Sequence, residues 1–338
     1  MEVNRISVCV CIHIFVDHLP VIQSSPQVTI TMSRYQSKLD VEKTQEAIKY
    51  MRHCFQKHLS ANLKLLRVSA PLFVPVNSGL QDDLSGVERA ICFDVRSGER
   101  AYINQSLAKW KRMALHKYPL KHYQGIYTDM NAIRRDEDVS SLHSYYVDQW
   151  DWELVIQRDQ RNEKTLEEVV EKIYDAMKQT EKMLELEDLY PEKTPAEREY
   201  LAVKQYGAVF LKQIGKVLKS KQVHDKRAPD YDDWELNGDI LVYSEHDDRC
   251  IELSSMGIRV DEVSMDSQLR QSGCESRRQF EYHQKVLSGE YPLTIGGGIG
   301  QSRLCMFFLE KKHIGEVQVS IWPEHVRREC EENNIFLL

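Results

Sequence analysis

No apolar run in this chain is long enough to cross a bilayer. The most apolar stretch near the start, residues 8–16, is interrupted by His13 and falls well short of the ~20 residues a membrane-spanning helix needs. As a secretory leader it has one upstream arginine and no small-residue cleavage site. Residues 1–36 therefore read as a disordered extension or a mis-assigned start, with Met32 as the alternative initiator. No membrane partner is expected. Excess positive charge is also missing: 45 Lys and Arg stand against 52 Asp and Glu, a formal net charge of −7. That balance and the lack of a long basic run exclude general attraction to a polyanion, so no nucleic-acid partner is expected. The eight cysteines, at 9, 11, 54, 92, 250, 274, 305 and 330, lack metal-site spacing. They suggest neither a zinc site nor a disulfide framework, and a reducing cytoplasm suits them. Repeats and low-complexity tracts are absent as well. A chain of 338 residues leaves room for one large α/β or α+β domain over 37–338, with a core and a deep cleft.

What is present is concentrated. Ile295-Gly-Gly-Gly-Ile-Gly-Gln-Ser-Arg303 puts four of the 15 glycines within five positions, immediately before the apolar residues 304–309. Glycines let backbone approach another surface closely, and a helix starting behind them would point free N–H groups at an anion. The known phosphate loops do not fit, because no Lys-Ser or Lys-Thr follows and no third glycine has dinucleotide-binding spacing. Anion binding with Arg303 and tight helix–sheet packing both remain open from this stretch alone.

Elsewhere the pattern predicts alternating helices and strands. Asp40 caps a helix with apolar positions Val41, Ala47, Ile48, Met51, Phe55 and Leu59. Residues 63–73 read as a strand that Pro71 restricts to an edge or an end, 92–95 and 101–103 as short strands, and 107–115 as a basic helix. Residues 126–134 and 144–153 form an antiparallel hairpin. Its alternation puts Gln149, Asp151 and Glu153 on one face and Trp150 and Trp152 on the other. Capping boxes at Thr165/Glu168 and Thr194/Glu197 open two helices, the first running to Met177 and the second ending at Gly207. Strands follow at 208–214, 239–243 and 251–260. The fold class is α+β, a mostly antiparallel sheet flanked by helices.

Several stretches carry ionisable side chains in suggestive places. If the hairpin after residue 237 turns at Glu245 and His246, Asp239 falls opposite Glu252 on the same pleat face. Two facing carboxylates repel unless a cation lies between them, and Mg²⁺, which arrives with nucleotide phosphates, suits oxygen ligands. Two solvated strand carboxylates are the plain alternative. Arg227-Ala-Pro-Asp-Tyr-Asp-Asp-Trp234 is an acidic, aromatic loop that could bind an amino group or a metal, or be a polar turn set by Pro229. Gln81-Asp-Asp-Leu-Ser-Gly86 has paired carboxylates. Lys109, Lys111 and Arg112 form either a basic helix face or a site for a substrate carboxylate.

Together, these blocks with Ser106-Leu-Ala-Lys-Trp-Lys-Arg112, Tyr146-Val-Asp-Gln-Trp-Asp-Trp-Glu153, Leu236-Asn-Gly-Asp239 and Glu252-Leu-Ser-Ser-Met-Gly-Ile-Arg-Val260 resemble the ammonia-dependent asparagine synthetases of the A type, aspartate–ammonia ligases. More distantly they resemble the catalytic core of class II aminoacyl-tRNA synthetases. The resemblance covers residues from about 40 to the C-terminus. It implies a class II synthetase-like fold, a homodimer built on the proline-containing residues 63–73, and a cytoplasmic enzyme that uses ATP, Mg²⁺, L-aspartate and ammonia. The reaction it implies joins aspartate's β-carboxylate to the α-phosphorus of ATP, after which ammonia displaces AMP to give asparagine. Arg134 is the arginine of the second motif, with Arg135, which stands where proline is common, competing for the α-phosphate; Arg303 is that of the third. The implied ATP contacts are Arg134, Ser254, Ser255, Gly296, Gly297, Gly298 and Arg303. Those to aspartate are Asp82, Lys111, Gln149, Asp151 and Arg259, with Asp82, Arg134 and Gln149 catalytic. Asp82 and Asp232 would meet ammonia, and Asp239 and Glu252 the metal. The segment between Trp234 and Leu236 is shorter than the family's pattern.

Two other classes share this fold. A tRNA-charging enzyme needs an anticodon-binding domain, for which residues 1–36 leave no room, and a basic surface. A catalytically dead synthetase-like module would have lost Arg134, Arg303, Asp239 or Glu252, all of which are present. With Glu2 after Met1 and Ser33 after Met32 there is no N-terminal cysteine nucleophile to hydrolyse glutamine, so free ammonia is the expected donor.

Overall fold

A computed structural model of the chain describes residues 35–84, 86, 88–174, 176, 200, 203–204, 207–214 and 227–338. Nearly all of the extension over 1–36, the predicted helix end at Met177 and the Thr194/Glu197 box lie outside the described residues.

The first helix, α1 (Val41–Asn62), starts where Asp40 accepts a hydrogen bond from the Lys43 N–H at 2.8 Å. The side chain satisfies one of the four N–H groups that a helix start leaves without partners. Residues 63–73 do not form one strand. They divide into β1 (Leu65–Arg67) and β2 (Phe73–Pro75), with Pro71 between them. Proline cannot donate to a ladder, and here its carbonyl is taken by Asn104 Nδ2 at 2.7 Å. β2 joins β3 (Cys92–Asp94) and β4 (Arg100–Ile103) in a three-stranded sheet ordered β2-β4-β3.

The basic helix α2 (Ala108–Lys117) leads into the predicted hairpin of β5 (Gly125–Ile133) and β6 (Tyr146–Val155). The pair is antiparallel from Gly125 opposite Leu154 to Ile133 opposite Tyr146. Trp150 and Trp152 are fully buried in the main core, so the face they define is fixed, and Gln149, Asp151 and Glu153 occupy the other. α3 (Glu163–Tyr174) begins two residues before the predicted box. Asn162 Oδ1 accepts from the Thr165 N–H at 2.9 Å, so Asn162 does the capping and Thr165 lies in the first turn. Gly207, at φ 76°, provides the left-handed position expected of a helix end before β7 (Ala208–Lys212).

β8 (Asp232–Ser244), β9 (Arg249–Arg259), α4 (Glu262–Gln271), α5 (Glu281–Leu287), β10 (Thr294–Gly300), α6 (Gln301–Phe308) and α7 (Glu324–Glu332) complete the chain. The large sheet runs β1-β5-β6-β10-β9-β8-β7, antiparallel except for the parallel β1–β5 pair at its edge. The glycine cluster is thus strand, β10, at the centre of the sheet. The main core, with Phe55, Leu59, Trp150, Trp152, Phe210, Met256 and Ile295, packs α1 and α3 against one face; on the opposite face α2 covers Ile126, Met130 and Ala132 of β5, and the neighbouring central strands carry polar side chains.

Candidate active site

Alternation on the central strands sets the polar face. Cβ positions built on Gly296 would lie 1.9 Å from Glu153 Oε2 and 2.7 Å from Arg259 Nη2; on Gly298, 2.3 Å from Gln149 Oε1 and 2.9 Å from Asp151 Oδ1. These glycines are not at positive φ; they leave room for long polar side chains folded across the strand. Gly297 points to the other face, where a Cβ would meet Met256 at 2.5 Å. At Gly296 and Gly298 the protein's own side chains thus fill the space over the strand.

That space holds a charged network sealed from water. Lys111 Nζ lies 3.0 Å from Asp151 and 3.8 Å from Glu153, and donates to the Gly297 carbonyl at 3.0 Å. Arg259 pairs with Glu153 at 2.8 Å and with Asp232 at closer range, while Thr294 donates to Glu153 at 2.7 Å. The helix cations are therefore not a solvated face: Lys109 goes to Asp230 at 2.7 Å, and Arg112 donates to the carbonyls of Pro292 and Val260 at 2.9 and 2.6 Å. Burial pulls the Lys111 ammonium below its ordinary pKa, against the pull of Asp151 and Glu153. For Glu153 burial acts upward, but Arg259 and Lys111 overcome it and hold the carboxyl low.

Asp82 sits on the loop leading toward this network. Its Oδ1 accepts from the Leu84 N–H at 2.9 Å, whereas Oδ2 is buried without a hydrogen-bond partner, as is Asp151 Oδ2. Burial and the nearby Asp230 raise the Asp82 pKa, opposed by Lys109. Burial likewise raises that of Asp232, against Arg259. The loop is fixed by Lys109 donating to the Gln81 carbonyl at 3.0 Å and Gln105 to the Asp82 carbonyl at 2.9 Å.

Above the network opens a cleft of about 400 Å³, lined by Arg134, Gln149, Arg227, Glu252, Gly298 and Arg303 among others. Arg134 lies on the cleft and 3.8 Å from Glu137, while Arg135 is exposed and is not part of the lining. Arg303, from the first turn of α6, donates to the Glu252 carbonyl at 3.0 Å and stands 3.7 Å from its carboxylate. His143 also faces the cleft; burial, Arg303 and Arg134 depress it to about 4, so it is neutral near pH 7.

The β8–β9 register differs from expectation. The turn spans residues 245–248, and an extra residue, Leu253, enters β9 where pairing passes from Leu241↔Glu252 to Ile240↔Ser254. Asp239 consequently faces Ser255, not Glu252. Both carboxylates still lie near one cation: Arg227 is bonded to Asp239 and Ser255 and acts on Glu252 electrostatically. Ser254 is buried.

The predicted residues thus fall into two adjoining groups. Arg134, Gln149, Glu252, Gly298 and Arg303 line the cleft, and Lys111, Asp151, Arg259 and Asp232 form the buried network with Gly296 against it. Glu153 and Arg227 were overlooked as site residues. Glu153 had a signal, because it shares the alternation of Gln149 and Asp151; Arg227 opens a quoted motif but nothing local marks it.

A family model described as aspartate–ammonia ligase matches residues 42–185 and 183–334. The chain belongs to the aspartate–ammonia ligase family. It is 54% identical over 325 residues to the aspartate–ammonia ligase of Fusobacterium nucleatum, covering 90% of this chain and 99% of that one. It is 52% identical over 327 residues to that of Clostridium perfringens strain SM101, covering 90% and 97%. Ammonia-dependent synthesis of asparagine is accordingly this chain's activity. Among solved structures it is similar to asparaginyl-tRNA synthetase of Entamoeba histolytica in complex with asparaginyl-adenylate, with TM-score 0.58 and 14% identity over 82% of this chain and 66% of that one. A second, from Pyrococcus horikoshii with asparaginyl-adenylate, has TM-score 0.56 and 12% identity, covering 83% and 70%. The ligase fold is therefore that of the class II synthetases, as the seven sequence blocks implied.

Proposed function

We propose that the ligase activates aspartate with ATP in the arginine-lined cleft and amidates it over the buried network. The observation that carries this is the juxtaposition of an open cleft bearing Arg134, Arg227 and Arg303 with a buried set of paired charges at Lys111, Asp151, Glu153 and Arg259. The arginines and the faces of Gly298 and Ser255 serve a polyphosphate, where charge neutralisation and positioning dominate the rate. Arg134 holds the α-phosphate, and Arg303 the distal phosphates or the adenine face. Lys111 and Arg259 meet aspartate's carboxylates; the orphan oxygens of Asp82 and Asp151 accept from its ammonium or from incoming ammonia.

The β-carboxylate oxygen attacks the α-phosphorus and expels pyrophosphate. Ammonia then attacks the acyl carbon, the C–O bond to AMP breaks, and the surplus proton passes to a carboxylate. Asp82, made more basic by burial, suits that last role. Among the described residues no cluster of three or more His, Cys, Asp or Glu could hold a metal. Two carboxylates, Asp239 and Glu252, are nevertheless the donor set for Mg²⁺ arriving with phosphates and waters, and when bound it would neutralise phosphate charge.

Residues 37–338 act as one catalytic domain, and two copies pair through residues 63–73, of which Leu72 and Phe73 are 52% and 46% exposed. Among the described residues no helix is long and apolar enough to cross a membrane. Cys305 and Cys330 are buried, with thiols pushed up to about 11 by burial, inert groups that suit the cytoplasm. The test incubates the protein with ATP, Mg²⁺, aspartate and either ammonium or glutamine. AMP and asparagine with ammonium are expected, and ADP in place of AMP overturns the adenylate.

A further inference from the structure

Two carboxylates on neighbouring strands, Asp239 and Glu252, require a positive partner. The structure places an arginine in that role. Arg227 spans Ser255 and Asp239, with Arg227 and Asp239 side chains only 11% and 10% exposed, and it acts together with Arg303 on Glu252. Arg227 also lines the cleft, so its other side faces the space given to the polyphosphate. Its backbone cannot follow a ligand freely. Ala228 is buried, the Pro229 carbonyl accepts from Gln268 at 3.0 Å, and Asp230 is locked by Lys109, Arg277 and His283 at 2.7, 2.8 and 2.9 Å. Motion is left to the long side chain.

We propose that Arg227 holds the place of the metal, neutralising the Asp239–Glu252 pair until nucleotide and metal arrive together and then turning its guanidinium to the phosphates. This rests on the reading of those two carboxylates as the Mg²⁺ ligands. The physical argument is charge compensation at Asp239, whose side chain is mostly buried. A dication alone cannot enter while the guanidinium stays, because like charges would be forced together, and it cannot expel the guanidinium unless an anion receives it. The triphosphate is that anion. Metal and nucleotide binding are therefore thermodynamically coupled, each strengthening the other by the same factor, and Arg227 transmits the coupling.

The experiment follows Mn²⁺ by the loss of its free-ion electron paramagnetic resonance signal, with and without a non-hydrolysable ATP analogue. In the unmodified protein the analogue should tighten Mn²⁺ binding well beyond the analogue's own affinity for the ion. In Arg227→Met, nucleotide-free Mn²⁺ binding should tighten by about tenfold or more, since one nearby positive charge has been removed, and the coupling should shrink. Adding Asp239→Asn to Arg227→Met should cancel that gain. Nucleotide-free Mn²⁺ binding as tight as ternary binding in the unmodified protein overturns the proposal without any variant, as does an Arg227→Met protein whose nucleotide-free affinity is unchanged. If Asp239→Asn alone leaves ternary Mn²⁺ binding intact, the carboxylate reading beneath the proposal fails separately.

Discussion

Replacing Gly296 with alanine tests whether the central glycines exist for the protein's own charges. The added methyl would sit 1.9 Å from Glu153 Oε2, 2.6 Å from its Cδ and 2.7 Å from Arg259 Nη2. Glu153 cannot retreat easily. It is directly across the ladder from Gly296, is 0% exposed, and its Oε1 is held by Thr294 at 2.7 Å and by Arg259 Nε at 3.0 Å. Arg259 is in turn fixed by Asp232. Overpacking alone costs about 1–3 kcal/mol, and separating a buried ion pair about 3–5 kcal/mol. The two are not independent, so the expected loss is about 3–5 kcal/mol, against a total stability on the order of 5–15 kcal/mol. Urea unfolding measures it as a lowered midpoint at constant slope. Gly300→Ala is the internal control: its nearest atom is Arg303 Cβ at 3.3 Å, a contact that the end of a helix can relieve, and about 1 kcal/mol or less is expected. Equal midpoints for the two variants would refute the reasoning.

Asp148 is expected to act through α6. It accepts from the Ser302 N–H at 3.1 Å and Oγ–H at 2.8 Å, and it pairs with Arg52 at 2.6 Å, so it caps from a neighbouring strand a helix whose own Gly300 offers no side chain. Asp148→Ala should cost about 1–3 kcal/mol and raise the KM for ATP by loosening Arg303, with Asp148→Asn recovering most of it; an unchanged KM in the alanine variant counts against this. His143 gives a pH prediction. Folded, it resists protonation until about pH 4, while the unfolded side chain takes a proton below its ordinary 6.5, so its contribution is intact above 6.5 and lost as pH falls toward 4. The difference amounts to about 3 kcal/mol. His143→Gln should flatten the midpoint-against-pH curve over that window, and parallel curves for variant and parent would remove the assignment.

How much was legible follows from how local each determinant is. Asp40 announces α1 because capping needs only its own first turn, and Trp150 and Trp152 announce their face because alternation is a property of consecutive residues. β10 could be recognised as unusual but not as a strand, since glycine has no side chain with which to show alternation. The α2 cations were ambiguous for a different reason. Three positive charges within four positions look solvated until their partners are known, and Asp151, Asp230 and the Val260 carbonyl are all far along the chain. The shift at Leu253 was invisible because it places two small serines, 254 and 255, where either register would accept them.

The same logic explains why the seven sequence blocks had to be taken together. Each buried charge in the network is tolerable only through a partner contributed by another block: Lys111 by Asp151, Glu153 by Arg259, Arg259 by Asp232. Losing one partner leaves an uncompensated buried charge, a larger penalty than losing the pair. The glycines belong to this set although they carry no charge. Gly296 and Gly298 define how much polar side-chain volume the face can hold, and any Cβ there displaces a member of the network. Dense glycine on a central strand is thus read, in this fold, as the counterpart of carboxylates and amides on the strand beside it.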